Sequence, residues 1–447
     1  MPSTLLTSGA VRSRPLTALP KAHLHLHFTG SMRHATLVEL AETHGVRLPP
    51  ALTQDWPPRL SGADERGWFR FQRLYDTARS VLRTPADVRR LLTETAEDER
   101  AEGSRWLEIQ VDPSGYATRF GGITAMTELV LDAARAAADA TGVGIGVIVA
   151  ANRTKHPLEA RTLARLAAQY ASRGVTGFGL SNDERRGAAP EFAAAFRIAE
   201  RAGLLLVPHG GELAGPASVQ ACLDDLHADR IGHGIRAAED PALVERLAAE
   251  GVTCEVCPSS NVALGVAAVP SQLPLRRLFE AGVPVALGAD DPLLFGPRLT
   301  AQYEIARHAH RFTDAELADL ARAAVLGSAA PEPLRAELLA GIGDWLATLC
   351  LLPAERAAGP GAGSLAGAAL PRRARRWPGA GSLAGGALPR RGTPPSPDDA
   401  PGPFGPEMTL TWRLRRAEYR GQQISFSTVG DDPAITGEPP EERASAA

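Results

Sequence analysis

The sequence is poor in cysteine, in net charge and in long apolar runs, and each shortage excludes a class of protein. Four cysteines in 447 residues are too few and too scattered for a disulfide framework. The formal net charge of −3 gives no positive field for a nucleic-acid partner. The most apolar stretch, GVGIGVIVAA from Gly142, is far shorter than a membrane span, and the N-terminal segment lacks the apolar core of a signal peptide. These shortages predict a soluble, cytoplasmic protein without a membrane partner.

Two of the cysteines, Cys254 and Cys257, form a CxxC pair within the run VTCEVCPSS. This run is strand-like, and residues three apart on a strand point to opposite faces, so the pair cannot chelate one ion. We interpret these cysteines as reduced structural thiols.

Short apolar, β-branched runs alternate with longer helical patterns along most of the chain. The predicted strands are residues 23–28, 105–111, 143–151, 175–181, 204–209, 230–235, 252–257 and 284–289. The predicted helices between them are residues 34–45, 86–102, 124–141, 157–172, 190–202, 216–227, 240–250 and 271–281. Eight strand–helix units with right-handed crossovers predict an α/β fold, a TIM (β/α)8 barrel. A doubly wound open sheet is the alternative.

Residues 46–84 interrupt this alternation after the first strand. The segment WFRFQRLYDTARSVLRT is typical of an inserted helix that carries Trp68, Phe69, Phe71 and Tyr75. Insertions after barrel strands lie at the face where active sites form, so this helix could be a lid over an apolar base. It could equally bury its aromatic side chains in the core.

The composition changes at about residue 354, where the predicted barrel domain of residues 18–353 ends; residues 1–17 are interpreted as an N-terminal arm. Gly and Pro make up 21 of the 50 residues from 357 to 406. PGAGSLAGAALPRR at Pro360 returns as PGAGSLAGGALPRR at Pro378, but two weakly apolar copies cannot form a solenoid. We predict a disordered tail over 354–447, whose arginines are more typical of solvated chain than of an anion site, with a marginal hairpin near 409–429.

The strongest local signal is the segment HLHLHFTGS. His25 and His27 are two residues apart, so both project from one face of a strand and could meet a single ion. A chance pair of histidines, or a core pair bonded to backbone, is the alternative.

Other polar residues fall at the ends of separate predicted strands. His209 and Glu212 follow LLLVP, His233 lies in RIGHGI, and Asp290 and Asp291 end VPVALGADDP. The carboxyl ends of barrel strands converge on one mouth, where a divalent cation would stabilise several imidazoles and carboxylates at once. Nitrogen and oxygen ligands suit zinc, with iron or cobalt as alternatives. The fourth strand ends GFGLSN, without a bridging Lys or Glu, which favours one metal ion.

These motifs resemble the adenosine/AMP deaminase branch of the amidohydrolase superfamily over about residues 18–348. The matching segments, in order, are LPKAHLHLHFTGS, GFGLSNDE, PHGGE, RIGHG, CEVCPSSN and ALGADDPLLF. The resemblance implies one zinc ion per subunit, with His25, His27, His209 and Asp290 as its ligands. The partners it implies are water and a small purine nucleoside, as in purine salvage; the oligomeric state stays open.

The resemblance also implies roles in catalysis and substrate binding. Glu212 would protonate purine N1, and His233 would orient and deprotonate the attacking water. Asp291 would hydrogen-bond N7, and the backbone N–H of Asn182 would reach N3. A carboxyl that donates a proton must be kept neutral, so a raised pKa is expected for Glu212.

Three positions depart from the family pattern. His23 replaces a glutamate and lies about 7 Å deeper on the face shared with His25, which favours a supporting or packing role over a metal ligand. Thr29 replaces an acidic residue associated with the ribose 5′-hydroxyl, and Asn182 replaces a small glycine. We therefore predict hydrolytic deamination of adenosine or 2′-deoxyadenosine, with adenine or a 5′-modified adenine nucleoside as the alternative substrate. A metal-dependent amide or ester hydrolase and a non-catalytic binding protein are the competing classes.

Overall fold

The computed structural model describes residues 13–348, and eight parallel strands run in sequence order around its sheet. The strands are β1 (Lys21–His27), β2 (Ser104–Val111), β3 (Gly144–Asn152), β4 (Val175–Ser181), β5 (Leu205–Gly210), β6 (Arg230–His233), β7 (Thr253–Val256) and β8 (Val285–Leu287). Each strand pairs in parallel with the next. This order requires a helical crossover between neighbouring strands.

The helices surround the sheet. In chain order they are α1 (His34–Thr43), α2 (Glu65–Arg79), α3 (Pro85–Ala101), α4 (Ala117–Phe120), α5 (Ile123–Thr141), α6 (Pro157–Gln169), α7 (Ala189–Arg201), α8 (Pro216–Leu226), α9 (Pro241–Glu250), α10 (Pro258–Ala263), α11 (Leu275–Glu280), α12 (Pro292–Phe295), α13 (Leu299–Ala309), α14 (Asp314–Gly327) and α15 (Glu332–Ala347). Among these described elements, none is both long and apolar enough to cross a membrane.

The barrel closes where β1 meets the residues after β8. Leu26 forms a parallel bridge with Asp290. The His27 N–H donates to the Asp290 carbonyl at 3.0 Å, and the Asp290 N–H donates to the His25 carbonyl at 3.0 Å. The predicted TIM barrel is therefore confirmed, and the open sheet is excluded because its first and last strands would not meet.

Each predicted strand overlaps an observed one, and the differences lie at the ends. Strand β6 ends earlier than predicted, at His233, because this residue has a left-handed backbone with φ of 63°. Strand β8 also ends early, at Leu287, and Asp290 beyond it has a φ of 61°. The domain limit at residue 353 stays a prediction. The predicted tail and its hairpin lie outside the described residues.

The inserted segment forms α2, which begins at an N-cap. The Asp64 carboxylate accepts a hydrogen bond from the Gly67 N–H at 2.7 Å. Trp68 and Phe71 are buried against the barrel, whereas Phe69 lies on the opposite face and is 63% exposed. The sequence analysis placed Phe69 with the aromatic side chains of a lid or of the core. This prediction is wrong for Phe69, because its side chain faces away from both the cavity and the core.

Toward the amino-terminal end of the barrel, buried charges form a closed network. Arg230 donates through Nη2 to Glu108 Oε2 and through Nε to Glu255 Oε1, both at 2.6 Å. Its Nη1 donates to the Gly327 carbonyl at 2.8 Å. All three charged side chains are at most 2% exposed. Such a network is stable only while complete, since an unpaired buried charge carries a large desolvation penalty.

The substitution Arg230→Met is expected to lower the free energy of unfolding by about 3–5 kcal/mol, because it removes the buried cation that pairs with the carboxylates of Glu108 and Glu255. Urea unfolding at neutral pH measures this change. The matched control is Arg246→Met on the outer helix α9, where a partly exposed ion pair contributes under about 1 kcal/mol. Equal losses in the two variants would contradict the buried network as the cause.

Candidate active site

The carboxyl ends of four strands bring imidazoles and carboxylates to one point. His25 and His27 lie at the end of β1, His209 in β5, His233 at the end of β6, and Asp290 just after β8. His233 and Asp290 both have a left-handed backbone, which is uncommon for residues other than glycine. Backbone strain of this kind is typical of functional sites. The predicted convergence of these distant residues is observed in the geometry.

The nitrogen and oxygen atoms of this cluster are close enough to share a cation. His27 Nε2 lies 3.2 Å from His209 Nε2 and 3.2 Å from Asp290 Oδ1. His25 Nε2 lies 3.6 Å from the same oxygen and is buried without a hydrogen-bond partner. The potential ligand atoms of His25, His27 and His209 all lie within 4.8 Å of one another. The donor set therefore fits a divalent metal ion, which would stabilise the otherwise unpartnered His25 nitrogen.

Protonation alone stabilises this cluster poorly. Burial lowers the pKa of His25, but the nearby carboxylates of Asp290 and Glu255 outweigh burial and raise it to about 10. The pKa of His209 is well below its ordinary value, because of burial and then the positive charges of the neighbouring histidines. Not all the imidazoles can carry a proton together, so neutral ring nitrogens remain available as metal ligands.

Cys257 is a further potential ligand atom near His25 and Asp290. Burial raises the pKa of its thiol well above the ordinary value, which disfavours the thiolate that a metal requires. Burial also raises the pKa of Cys254 to about 12. Together with Cys222, both are free and buried, as the sequence predicted.

Three residues that the sequence analysis did not single out contact side chains of the cluster. Glu255 Oε2 lies 2.8 Å from His25 Nδ1, which directs the opposite ring nitrogen toward the cluster. The Ser260 hydroxyl donates to Asp290 Oδ2 at 2.5 Å, and Asn261 Nδ2 lies 3.3 Å from His233 Nδ1. One signal was present in the sequence, because Glu255 is a charged residue in the middle of an apolar strand.

Glu212 and Asp291 extend the cluster toward the cavity. Glu212 Oε1 lies 3.6 Å from His233 Nε2, and burial followed by the charge of Asp290 raises the pKa of Glu212 well above its ordinary value. Burial and Asp290 also raise the pKa of Asp291 to about 7. Asp291 Oδ1 is buried without a hydrogen-bond partner, and a Cβ atom on Gly30 would overlap it. The surroundings of Glu212 and Asp291 therefore favour the protonated form of both carboxyl groups.

A cavity opens above these groups and has two chemically different sides. Trp68, Phe71 and Tyr75 of α2 form an aromatic side. The ends of β2, β3 and β4 supply a polar side, which includes Gln110, Asp112, Asn152, Ser181 and Asn182. The lid and core interpretations of α2 both hold in part, since Trp68 and Phe71 line the cavity and are also largely buried.

Thr29 and Asn182 differ in how they relate to the cavity. Thr29 is fully buried, its hydroxyl lies 2.6 Å from the Tyr116 hydroxyl, and it is absent from the residues that line the cavity. The geometry therefore does not support direct contact between Thr29 and a substrate, because this side chain is turned to a tyrosine. Asn182 does line the cavity, in a left-handed conformation with φ of 82°.

The Asn182 side chain also joins the barrel to α2. Its Oδ1 accepts from the Trp68 indole N–H at 3.2 Å, and its Nδ2 donates to Gln72 Oε1 at 3.0 Å. The extra side chain at this position therefore holds the aromatic helix in place over the cavity.

His23 has a supporting role. Its Nε2 accepts from the Ala289 N–H at 2.9 Å, so its Nδ1 donates to Glu99 Oε1 at 2.8 Å. Both ring nitrogens are occupied, which excludes His23 as a metal ligand in this geometry. The supporting interpretation of His23 agrees with the structure.

Residues 20–345 match the family model described as Adenosine deaminase. The chain belongs to the adenosine deaminase family. Members of this metal-dependent family are hydrolytic deaminases that act on C–N bonds. A putative adenosine/adenine deaminase of Streptomyces virginiae is 67% identical over 334 residues, which are 75% of this chain and 98% of the relative. An adenine deaminase of Rhizobium meliloti is 39% identical over 329 residues, 72% of this chain and 98% of the relative.

Two solved structures, one of a deaminase and one of an amidohydrolase, share the fold. An adenine deaminase from Arthrobacter aurescens is 29% identical, with a TM-score of 0.68 over 74% of this chain and 100% of that one. An amidohydrolase from Burkholderia ambifaria with bound Zn is 25% identical, with a TM-score of 0.67 over 75% of this chain and 93% of that one. The family predicted from the sequence motifs is confirmed.

The substitution Glu255→Gln is expected to weaken the affinity for Zn²⁺ by about 10–100-fold, because the uncharged amide no longer orients and polarises His25. Competition between the protein and a chromophoric chelator measures this affinity.

Two control variants separate this effect from general damage. Glu99→Gln removes the same kind of carboxylate–imidazole contact, also at 2.8 Å, but from His23. Glu108→Gln disrupts the other carboxylate that pairs with Arg230. Both controls are expected to retain the wild-type Zn²⁺ affinity. A tenfold loss in either of them would contradict a specific role for Glu255.

Proposed function

We propose that this deaminase converts adenosine or 2′-deoxyadenosine to inosine or 2′-deoxyinosine and ammonia, using one zinc ion per subunit. The observation that carries the proposal is the buried Glu212 carboxyl, which lies 3.6 Å from His233 in a cluster of imidazoles and carboxylates and lines a cavity with an aromatic side. Protonation of a ring nitrogen is what hydrolytic deamination needs and simple amide hydrolysis does not.

The proposed metal ligands are His25, His27, His209 and Asp290. This set offers three imidazoles and one carboxylate, a combination that suits zinc better than magnesium or calcium. A bound zinc ion lowers the pKa of water and so supplies a strong nucleophile at neutral pH. The unpartnered Nε2 of buried His25 supports this assignment.

Glu212 is proposed to donate a proton to purine N1. Addition of water at C6 disrupts the aromatic ring and places negative charge on N1, so a proton delivered there stabilises the transition state. Burial and the charge of Asp290 raise the pKa of Glu212, which favours the protonated form that this role demands.

His233 and Asp291 take the remaining roles in the proposal. Burial lowers the pKa of His233 to about 3, so its imidazole is neutral and offers an unprotonated ring nitrogen, which is proposed to orient and deprotonate the attacking water. Purine N7 is a hydrogen-bond acceptor, so Asp291 must be protonated to bind it. The pKa of Asp291 of about 7 makes that proton available, and its buried Oδ1 has no other partner.

The polar side of the cavity favours a nucleoside over a free base. Gln110, Asp112, Asn152 and Ser181 line the cavity at the ends of β2–β4. A ribose bound there, near the N–H of Asn182, would offer hydroxyl groups to these side chains. Unpaired polar groups left by a smaller ligand would weaken its binding.

Adenine or a 5′-modified adenine nucleoside is the second candidate substrate. Position 29 lacks the carboxylate of the family pattern, and the Thr29 hydroxyl is bonded to Tyr116. Recognition of an unmodified 5′-hydroxyl is therefore weaker here than in that pattern. The relatives named adenine deaminase also support this alternative.

A substrate panel tests the choice of substrate. The zinc-loaded protein is incubated with adenosine, 2′-deoxyadenosine, adenine and 5′-deoxy-5′-substituted adenosines, and purine absorbance is followed. The proposal expects the highest kcat/KM for the first two. An undetectable rate with adenosine beside a rapid rate with adenine or a 5′-substituted analogue would replace the lead substrate with the second.

The substitution Glu212→Gln tests the chemistry. An amide of the same shape cannot donate an acidic proton, so kcat for deamination is expected to fall about 10²–10⁴-fold with the zinc content unchanged. Steady-state kinetics and elemental analysis measure both. An amide or ester hydrolase would retain its rate in this variant, and a non-catalytic binding protein would have no wild-type rate to lose.

A further inference from the structure

Glu184 is a buried carboxylate outside the cavity that binds a loop of the active site. It follows β4 and is 6% exposed. Its Oε1 accepts from the Gly211 N–H at 2.5 Å and from the Ser218 hydroxyl. Its Oε2 accepts from three further backbone N–H groups, those of Glu212 at 2.9 Å, Leu213 at 2.6 Å and Ala214 at 2.8 Å. One side chain thus binds four consecutive amides of the loop after β5.

The loop that Glu184 binds has no regular secondary structure of its own. Residues 211–214 are bends between β5 and α8. Gly211 has a left-handed φ of 72°. Successive N–H groups that point to one side form a concave anion site, and here the anion is Glu184. Without that anion, four amides would lose their acceptor and the loop would gain conformational freedom.

A second buried side chain fixes the same region from the neighbouring strand. Arg153, just after β3, donates through Nη2 to the His209 carbonyl at 2.6 Å and through Nη1 to the Glu184 carbonyl at 3.4 Å. Arg153 is 2% exposed. The loop that carries Glu212 is therefore held from both β3 and β4, whose residues lie beside it in the barrel.

We propose that Glu184 is a positioning residue, which fixes the Glu212 carboxyl at the reacting ring nitrogen without touching the substrate. The inference rests on the proposed function, since it assigns Glu184 to the placement of the proton donor. The backbone N–H of Glu212 is itself one of the bound amides, so its Cα position depends directly on Glu184. A displacement of about 1 Å at a reacting group can reduce the rate about 100-fold.

The first test is Glu184→Gln in the full-length, zinc-loaded protein. The amide keeps one oxygen but replaces the other with an N–H₂ group, which cannot accept from the loop amides. We expect kcat to fall about 10–100-fold while KM changes less than about threefold, because only the placement of the proton donor is affected. Hydrogen–deuterium exchange of the peptide spanning 211–214 should become faster, a readout that does not depend on activity.

The matched control is Asp183→Asn, one residue earlier. Asp183 is equally buried at 4% exposure, but its carboxylate bonds to Arg185 rather than to the loop after β5. This variant is expected to retain wild-type kcat and wild-type exchange at 211–214.

A double-mutant cycle with Glu212→Gln tests whether Glu184 acts through Glu212. If it does, Glu184→Gln should cause no further loss of the residual rate in the Glu212→Gln background. Additive losses, or equal losses of kcat, zinc content and thermal stability in the single variant, would overturn the inference. An unchanged kcat with faster exchange would overturn it as well.

Should Glu184→Gln not fold, Glu184→Asp takes its place, since it keeps the charge but withdraws both oxygens by one methylene. The same pattern with a smaller amplitude is then expected, and wild-type kcat and exchange would refute the proposal. Failure of the proposed function is recognised separately, because wild-type protein would then be inactive on every adenine substrate. The exchange at 211–214 would still report whether Glu184 holds the loop.

Discussion

The backbone contact between β1 and Asp290 both closes the barrel and brings the side chains of the site together. The hydrogen bonds from His27 to Asp290 and from Asp290 to His25 close the barrel. The same three residues present side chains whose ligand atoms lie within a few ångströms of one another. Closure of the sheet and assembly of the proposed metal site are therefore one event, and the strained φ of Asp290 is held by the hydrogen bonds on both sides of it.

Three members of this dense cluster of ionisable groups have a partner outside it. Glu255 supports His25, Ser260 supports Asp290, and Asn261 lies beside His233. Burial then separates the proton affinities of neighbouring groups, since the pKa of Glu212 rises while that of His233 falls to about 3. A carboxyl whose burial favours the protonated form and an imidazole whose burial favours the neutral form thus lie 3.6 Å apart.

The sequence predicted the barrel and the convergence of His25, His27, His209 and Asp290 because both follow from periodicity. Alternation on a strand defines which side chains share a face, and the ends of parallel strands meet at one mouth. What it missed depends on contacts between distant residues. Nothing local indicates that Thr29 turns to Tyr116, that Phe69 faces solvent, or that Glu184 binds the loop after β5. The orientation of each of these side chains depends on contacts with residues that are distant in the sequence.

The arrangement separates reaction from substrate selection. The proposed chemical groups lie on β1, β5, β6 and β8, whereas the cavity wall that remains is built by α2 and the ends of β2–β4. Of the departures from the family pattern, Asn182 belongs to this second region, and Thr29 contacts Tyr116 next to it. Asn182 also ties Trp68 and Gln72 to the barrel. Under the proposed function, changes at these positions are expected to affect the choice of substrate more than the proposed metal ligands, because those ligands lie on other strands.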